Sequence, residues 1–214
     1  MPQTWIDISV PVRSGMVRWP GDPEIKIERL LQMCRGDVCN TTHLSFSAHT
    51  GTHMDAPLHF IAKGKSIDKM PFDATVCPAR VIEIRDRESI KAEELKQHRL
   101  KAGERVLFKT RNSRHSWKND RFEENFVHIS KGAAEFLAER KVRTVGIDYL
   151  SVGGYERDGV ETHRILLGAE IWVIEGLNLA KVQAGQHDLI CLPLKIVGAE
   201  GAPARAIVRR HGRG

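Results

Sequence analysis

Apolar and polar positions alternate with a period of two through the first third of the chain, and farther on such stretches are separated by runs with helical spacing. Trp5, Ile6, Ile8 and Val10 predict an opening strand, after which Pro11, Pro20, Gly21, Asp22 and Pro23 make a rigid loop around Trp19. Residues 24–33 predict a second strand, with Ile25 and Ile27 on one side. Leu44, Phe46 and Ala48 then alternate against His43, Ser45 and Ser47, which predicts a third strand that delivers His49 at its end. Residues 79–85 are β-rich, Ser89 is a candidate N-cap for a short helix carrying Leu95, and residues 105–110 return to strand character. Ser130 is placed to cap a helix in which Ala133, Phe136, Leu137 and Arg140 share a face, and residues 142–149 read as the strand that follows. Residues 171–175, 188–197 and 204–209 predict further strands, the last two joined by a turn over 198–203.

Strand, helix and strand in succession imply crossover connections, hence an α/β class with a strand-rich, sheet-centred core and few helices. With 214 residues, the chain reads as a single compact mixed domain over 1–214. Residues 111–125, RNSRHSWKNDRFEEN, break the alternation and read as a surface loop or as a lid over a substrate. No apolar run is long enough to cross a bilayer, so no membrane partner is expected.

The formal net charge of +6 suits an anionic small molecule or nucleic acid, and charge alone does not choose between them. Part of the excess clusters at Arg205, Arg209, Arg210 and Arg213 around Ile207 and Val208, which reads as a strand with a frayed basic end. Zinc-finger spacing, an aromatic RNA-binding signature and a long basic helix are missing, so a nucleic-acid-binding protein is the weaker reading. Cys34, Cys39, Cys77 and Cys191 are scattered without a CxxC pair and read as reduced, partly buried thiols. The opening MPQTWIDISV has neither a basic leader nor a cleavable apolar segment, and a cytoplasmic location is the resulting expectation.

The chemistry concentrates in HTGTHMDAPLH, residues 49–59. Imidazole and carboxylate are ligands for zinc, manganese or iron, and His49, His53 and Asp55 are candidate ligands from one short segment. Pro57 opposes a continuous helix and Gly51 permits a sharp turn, so the segment reads as a turn or short irregular strand. Two residues apart, His53 and Asp55 then face the same way, and the turn swings His49 back toward them. Asp55 could bind one metal ion or bridge two. His59, just beyond, is the candidate general base and acid. A structural zinc would call for cysteines, and the motif has none. Glu175, closing the apolar run IWVIE, is an independent candidate for a charge-compensated site, because a buried carboxylate needs a partner.

The string HTGTHMDAPLHF resembles the His-x-Gly-Thr-His-x-Asp-x-Pro-x-His signature of the metal-dependent cyclase-like hydrolases, the family that includes bacterial kynurenine formamidase and isatin hydrolase. The likeness continues through WIDISVPV, WPGDP, GIDYLSV, HRILL, IEGL and LPLKIVGAEGAPARAIV, nearly the whole chain. It implies a swivelling β/β/α arrangement, assembly into dimers or tetramers, metal ligation by His49, His53 and Asp55, and a catalytic His59. It also implies a second metal position held with help from His163 and Glu175, the cation being zinc, in one or two copies, or manganese. Trp19 matches the family's aromatic contribution to the site.

The reaction expected is hydrolysis of a C–N amide bond of a small aromatic amide: water held by the metal loses a proton to His59, the hydroxide attacks a polarised carbonyl, and His59 protonates the departing amine. Trp19, Phe60 and Tyr149 are candidate apolar walls for the substrate. The segment YLSVGGYERDGVET differs from the Thr-Pro-Ser-Leu-Asp type of segment in kynurenine formamidases, which leaves an N-formylkynurenine-like substrate, an isatin-like lactam and a lactone all open. A member that binds metal without catalysis is the remaining rival, and the presence of His59 speaks against it.

Overall fold

Strands of the chain close a sheet on itself in the computed structural model, which describes residues 4–212. The strands are β1 (Ile6–Asp7), β2 (Lys26–Leu31), β3 (Thr41–Ser45), β4 (His53–Asp55), β5 (Val76–Glu83), β6 (Ser89–Ile90), β7 (Arg105–Lys109), β8 (His128–Ile129), β9 (Thr144–Ile147), β10 (Trp172–Glu175), β11 (Gly185–Pro193) and β12 (Gly201–Arg210). The helices are α1 (Ala92–Lys96), α2 (Asn112–His115), α3 (Lys131–Glu139) and α4 (Gly159–Gly168). The main sheet runs β12-β11-β5-β7-β9-β10-β4, and β4 pairs back onto β12, which makes it barrel-like; β1 pairs with the far end of β12. Strands β5, β7, β9 and β10 are parallel, as crossovers containing α1, α3 and α4 require, whereas β4, β11 and β12 join antiparallel. The chain is thus the mixed α/β domain with a strand-rich core that the pattern predicts.

Period-two alternation sorts the core into two apolar bodies. Val81, Leu107, Trp172 and Ile174 pack with Met54, Leu189 and Ala206 on the inner face of the sheet. Their neighbours Ile82, Val106, Phe108, Val145 and Val173 pack outward against Leu95, Leu137 and Leu166 of the helices. Each large apolar side chain so buried contributes about 1.5–3 kcal/mol. The face between sheet and helices also holds the candidate site.

Ser130 caps α3 as predicted, its hydroxyl accepting the Ala133 N–H at 3.3 Å. Several boundaries differ. Ser89 is not a cap but part of β6, and Lys91 precedes α1 without a side-chain cap. The third strand stops at Ser45, and His49 sits in a turn, because the Ser47 hydroxyl accepts the His49 N–H at 3.1 Å and its carbonyl accepts the Thr50 N–H at 3.2 Å. Local bonds of this kind compete with a strand ladder. Residues 201–203, expected in a turn, instead extend β12, since they pair with β4.

Residues 111–125 divide: the first part packs into the molecule, residues 118–121 and 124–125 lie at the surface as a loop would, and none of the segment borders the cleft described below. Asn112, Ser113 and Ser116 are buried, and the Asp148 carboxylate accepts hydrogen bonds from Thr110, Asn112 and Ser113. Burial pushes the Asp148 carboxyl up against the pull of those donors. Residues 112–117 thus form a packed buttress, with Trp117 against the Tyr149 ring.

The basic end is engaged rather than frayed: Arg205 pairs with Asp7, Arg209 pairs with Asp188 and lies over the Trp5 ring, and Arg210 donates to Gln183. Arg213 lies outside the described residues. The four cysteines are free, but Cys34 and Cys39 are exposed at the end of the β2–β3 hairpin rather than partly buried. Among the described residues no helix is long and apolar enough to cross a membrane.

Candidate metal centre

Strand β4 is only three residues long, yet it is held on both sides, by β10 and by β12. Its register sets Asp55 opposite Val173 and His53 opposite Glu175. Because positions two apart share a face, His53, Asp55 and Glu175 all project toward the helices, as the spacing predicts for the first two. His53 Nε2 lies 3.5 Å from Asp55 Oδ1 and 3.2 Å from Glu175 Oε2. Helix α4 crosses this face and brings His163 Nε2 to 3.3 Å from Glu175 Oε1 and 3.8 Å from Asp55 Oδ2. The Val152 N–H donates to Glu175 Oε1 at 2.6 Å and fixes that carboxylate.

His49 arrives by a locked turn. Gly51 adopts φ +64°, and Gly176 approaches it so closely that a Cβ there would overlap the Gly51 carbonyl. The Thr52 hydroxyl donates to Gly176 O at 2.6 Å and accepts the Val10 N–H at 2.9 Å, tying the turn to the end of β10. His49 therefore folds back, with Nδ1 2.8 Å from Asp55 Oδ1. His59 follows from the single helical turn Pro57–His59, its ring stacked on His49 at 4.1 Å between centroids and 26° between planes.

Two donor sets result, and Asp55 belongs to both. Ligand atoms of His49, Asp55 and His59 lie within 4.8 Å of one another, as do those of His53, Asp55 and Glu175. The spacing motif is thus assembled, with His163 and Glu175 added from elsewhere in the chain, while His59 stands nearer His49 and Asp55 than its place beyond the motif suggests. A cation suits this set. His53 Nδ1 donates to Gly51 O at 3.0 Å, so Nε2 presents a lone pair toward the carboxylates, and that atom and Asp55 Oδ2 are both buried without a hydrogen-bond partner. His163 repeats the device, with Nδ1–H on Gly159 O at 2.7 Å and Nε2 turned inward. Orphaned acceptors facing one another at zero exposure are costly unless a positive charge lies between them.

The electrostatics follow from two ionised carboxylates among buried imidazoles. Burial opposes charge on His49, but the adjoining Asp55, with Glu175 and Glu200 beyond, outweighs it and pushes the imidazole up to about 9. Burial would raise Asp55, yet His49, His53 and His59 hold it well below the usual carboxylate range. Burial and Asp55 both work against ionised Glu175, and His163 and His53 more than offset them. His163 is raised, Glu175 outweighing burial. His59 goes the other way: burial lowers it, and His49 and His163 add to that against the pull of Asp55. Charge on the His59 imidazole is therefore disfavoured.

A cleft of about 370 Å³ opens over this group, bordered by His49, His59, His163 and Glu175 on its floor. Trp19 and Phe60 form its walls as expected; Phe60 stacks on His163 at 4.5 Å and 21°. Tyr149 does not line it. That ring is fully buried behind the wall, packed at 5.2 Å against Trp117, and its hydroxyl accepts the Glu123 N–H at 3.0 Å. Tyr155 takes the expected place, edge-on to Trp19 at 5.6 Å and 74°. It lies within YLSVGGYERDGVET, the segment that supplies much of the cleft wall. Glu200, whose Oε1 is 3.3 Å from His49 Nε2, carries no sequence signal, being brought in by the β4–β12 pairing alone.

The chain is similar to proteins of known family. Residues 6–153 match the family described as "Putative cyclase". A kynurenine formamidase of Bacillus cereus is 36% identical over 205 residues, which span 96% of this chain and 97% of that one, and a kynurenine formamidase of Bacillus anthracis shows the same identity and coverage. Among solved structures, a predicted metal-dependent hydrolase from Bacillus stearothermophilus superposes with a TM-score of 0.85 at 29% identity, covering 99% of this chain and 100% of its own. Isatin hydrolase A from Labrenzia aggregata superposes with a TM-score of 0.83 at 24% identity, covering 98% and 94%, a likeness of fold.

Proposed function

Since the chain belongs to the cyclase family of metal-dependent hydrolases, we propose that it acts as an arylformamidase, with an N-formylkynurenine-like aryl formamide as substrate. It is an enzyme that hydrolyses C–N amide bonds. The observation that carries the finer reading is Asp55, shared by two donor sets directly beneath a cleft with aromatic walls.

His49, His53, Asp55, His163 and Glu175 would hold a divalent cation, zinc in one or two copies or manganese, and such a cation supplies Lewis acidity toward water and the amide carbonyl when bound. The protein's own groups do the rest. His59, neutral because burial disfavours its charge, accepts a proton from the attacking water and returns it to the leaving nitrogen, so that formamide and water become formate and amine. Its stack on His49 keeps that imidazole over the reacting centre. Trp19 and Phe60, with Tyr155, grip the aryl ring and exclude water around it. Asp22, Glu156 and Arg157 at the rim meet the polar part of the substrate. We further infer assembly into a homodimer or homotetramer and a cytoplasmic location, with neither nucleic acid nor membrane as partner.

The wall formed by residues 150–160 favours a second reading, hydrolysis of a cyclic amide such as isatin, because this wall departs from the formamidase pattern. Metal analysis of the purified protein, followed by assay of N-formylkynurenine and isatin before and after chelation, tests both. Formate release that is abolished by chelator and restored by zinc or manganese is expected; turnover of isatin alone would select the second reading, and turnover untouched by chelation would sink both.

A further inference from the structure

We propose that Glu200 is a positioning residue for the metal centre: it takes the Nε2–H of His49 and so determines that Nδ1 of this imidazole faces the cation. The inference rests on the metal-centre reading above. It starts from an asymmetry among the histidines. His53 and His163 each give Nδ1–H to a main-chain carbonyl, of Gly51 and Gly159, and turn Nε2 into the site. In His49 the order is reversed. Its Nδ1 points inward, 2.8 Å from Asp55 Oδ1, and its Nε2 points outward to Glu200 Oε1 at 3.3 Å. Among the described residues no main-chain carbonyl accepts from either nitrogen of His49, so its tautomer depends on a side chain. A ligating imidazole whose other N–H is held by a carboxylate is fixed in orientation and made a better donor.

The chain is built to bring Glu200 there. Ala56 N–H donates to Glu200 O at 2.8 Å and Ile67 N–H to Ala199 O at 2.8 Å, which pins the segment against the motif loop. The next residue, Gly201, lies opposite Asp55 in the β4–β12 register, and a Cβ on it would come within 2.7 Å of His49 Cε1. The His49 ring therefore rests edge-on against this backbone while His59 stacks on its face. Glu200 and Gly201 form a cradle, one by accepting a hydrogen bond and the other by leaving room. The Glu200 side chain is 43% exposed, so the role requires an acceptor oxygen rather than a buried charge. Through the stack, the cradle also sets the position of His59.

Wild type, Glu200→Ala and Glu200→Gln are each titrated with zinc against a competing chelator, metal content is measured, and long-range proton–nitrogen NMR reports the histidine tautomers of the zinc-loaded proteins. Glu200→Gln keeps an acceptor oxygen and is expected to retain near wild-type affinity and an Nε2-protonated His49. Glu200→Ala is expected to weaken zinc by about 10- to 100-fold and to lose that His49 signature, with His53 and His163 unchanged. Wild-type affinity and an unchanged His49 in Glu200→Ala would overturn the proposal. So would loss of a zinc equivalent in both variants, which would make Glu200 a ligand. A wild type that takes up neither zinc nor manganese is a separate outcome: it would bring down the metal-centre reading and this inference with it.

Discussion

The two ends of the metal centre are built in different ways. At the buried end, His53 and Glu175 sit on paired strands, His163 on the helix above them, with side chains 1%, 5% and 8% exposed. Both imidazoles there are oriented by main-chain carbonyls. At the open end, His49 and His59 come from turns, His49 is 18% exposed, and the partners of His49 are side chains, Asp55 and Glu200. Main-chain partners cannot move without moving the fold, whereas side-chain partners and turns can yield. A centre made this way grips on one side and leaves the other free to meet substrate and exchange protons.

Asp55, common to both ends, is the place to break this contrast. Asp55→Ala is expected to abolish metal retention and turnover together, measured by metal content and formate release; a variant that keeps full metal would show that the ends are independent. His59→Ala is the sharper cut. With the ligand set intact, metal content should match wild type while kcat falls by about 10²–10⁴-fold, the range for losing a general acid–base group. Equal loss of metal in His59→Ala would make it a ligand and collapse the distinction between gripping and reacting.

The same contrast decides what could be read from the sequence. Period-two spacing put His53 and Asp55 on one face, and strand β4 holds them so. The α/β class follows from alternating strand and helix patterns, which survive because most of the buried positions obey them. What was not legible depends on long-range pairing or on local bonds that override a pattern. The Ser47 hydroxyl ends the alternation before His49. The burial of Asn112 and Ser113 goes with Asp148, one carboxylate gathering the start of a polar segment that has no apolar period of its own. Tyr149 follows the end of β9 by two residues, where no period dictates which way a side chain turns, and here the ring turns inward. Glu200 is 151 positions from His49, and only the closure of the sheet onto β4 joins them.

Removing the cation tests the buried end by stability. The metal-free site keeps orphaned acceptors beneath the cleft. A ligand at about 100 times its dissociation constant contributes about 2.7 kcal/mol, which in a domain of this size corresponds to a rise in Tm of roughly 5–10 °C. His163→Ala is expected to reduce that rise, as followed by thermal melting with and without zinc, while His59→Ala leaves it nearly whole. Similar rises in all three proteins would mean that the buried end carries no special share of the binding.

The smallest effect belongs to the wall of the open end, and its value lies in what it leaves unchanged. Trp19 meets Tyr155 and Phe122 edge-on at 5.6 and 5.3 Å, in a wall built of aromatic rings. An aromatic contact of this type is worth about 1 kcal/mol, so Trp19→Ala is expected to raise KM for an aryl formamide about fivefold, with kcat, metal content and the zinc-induced Tm rise at wild-type levels. Steady-state kinetics alongside zinc titration would separate the outcomes. A fall in kcat at constant KM would mean that the wall acts on the reacting atoms through His59 rather than on the ring of the substrate, and the division between a rigid grip and an adaptable rim would then have to be drawn through the floor of the cleft instead of around it.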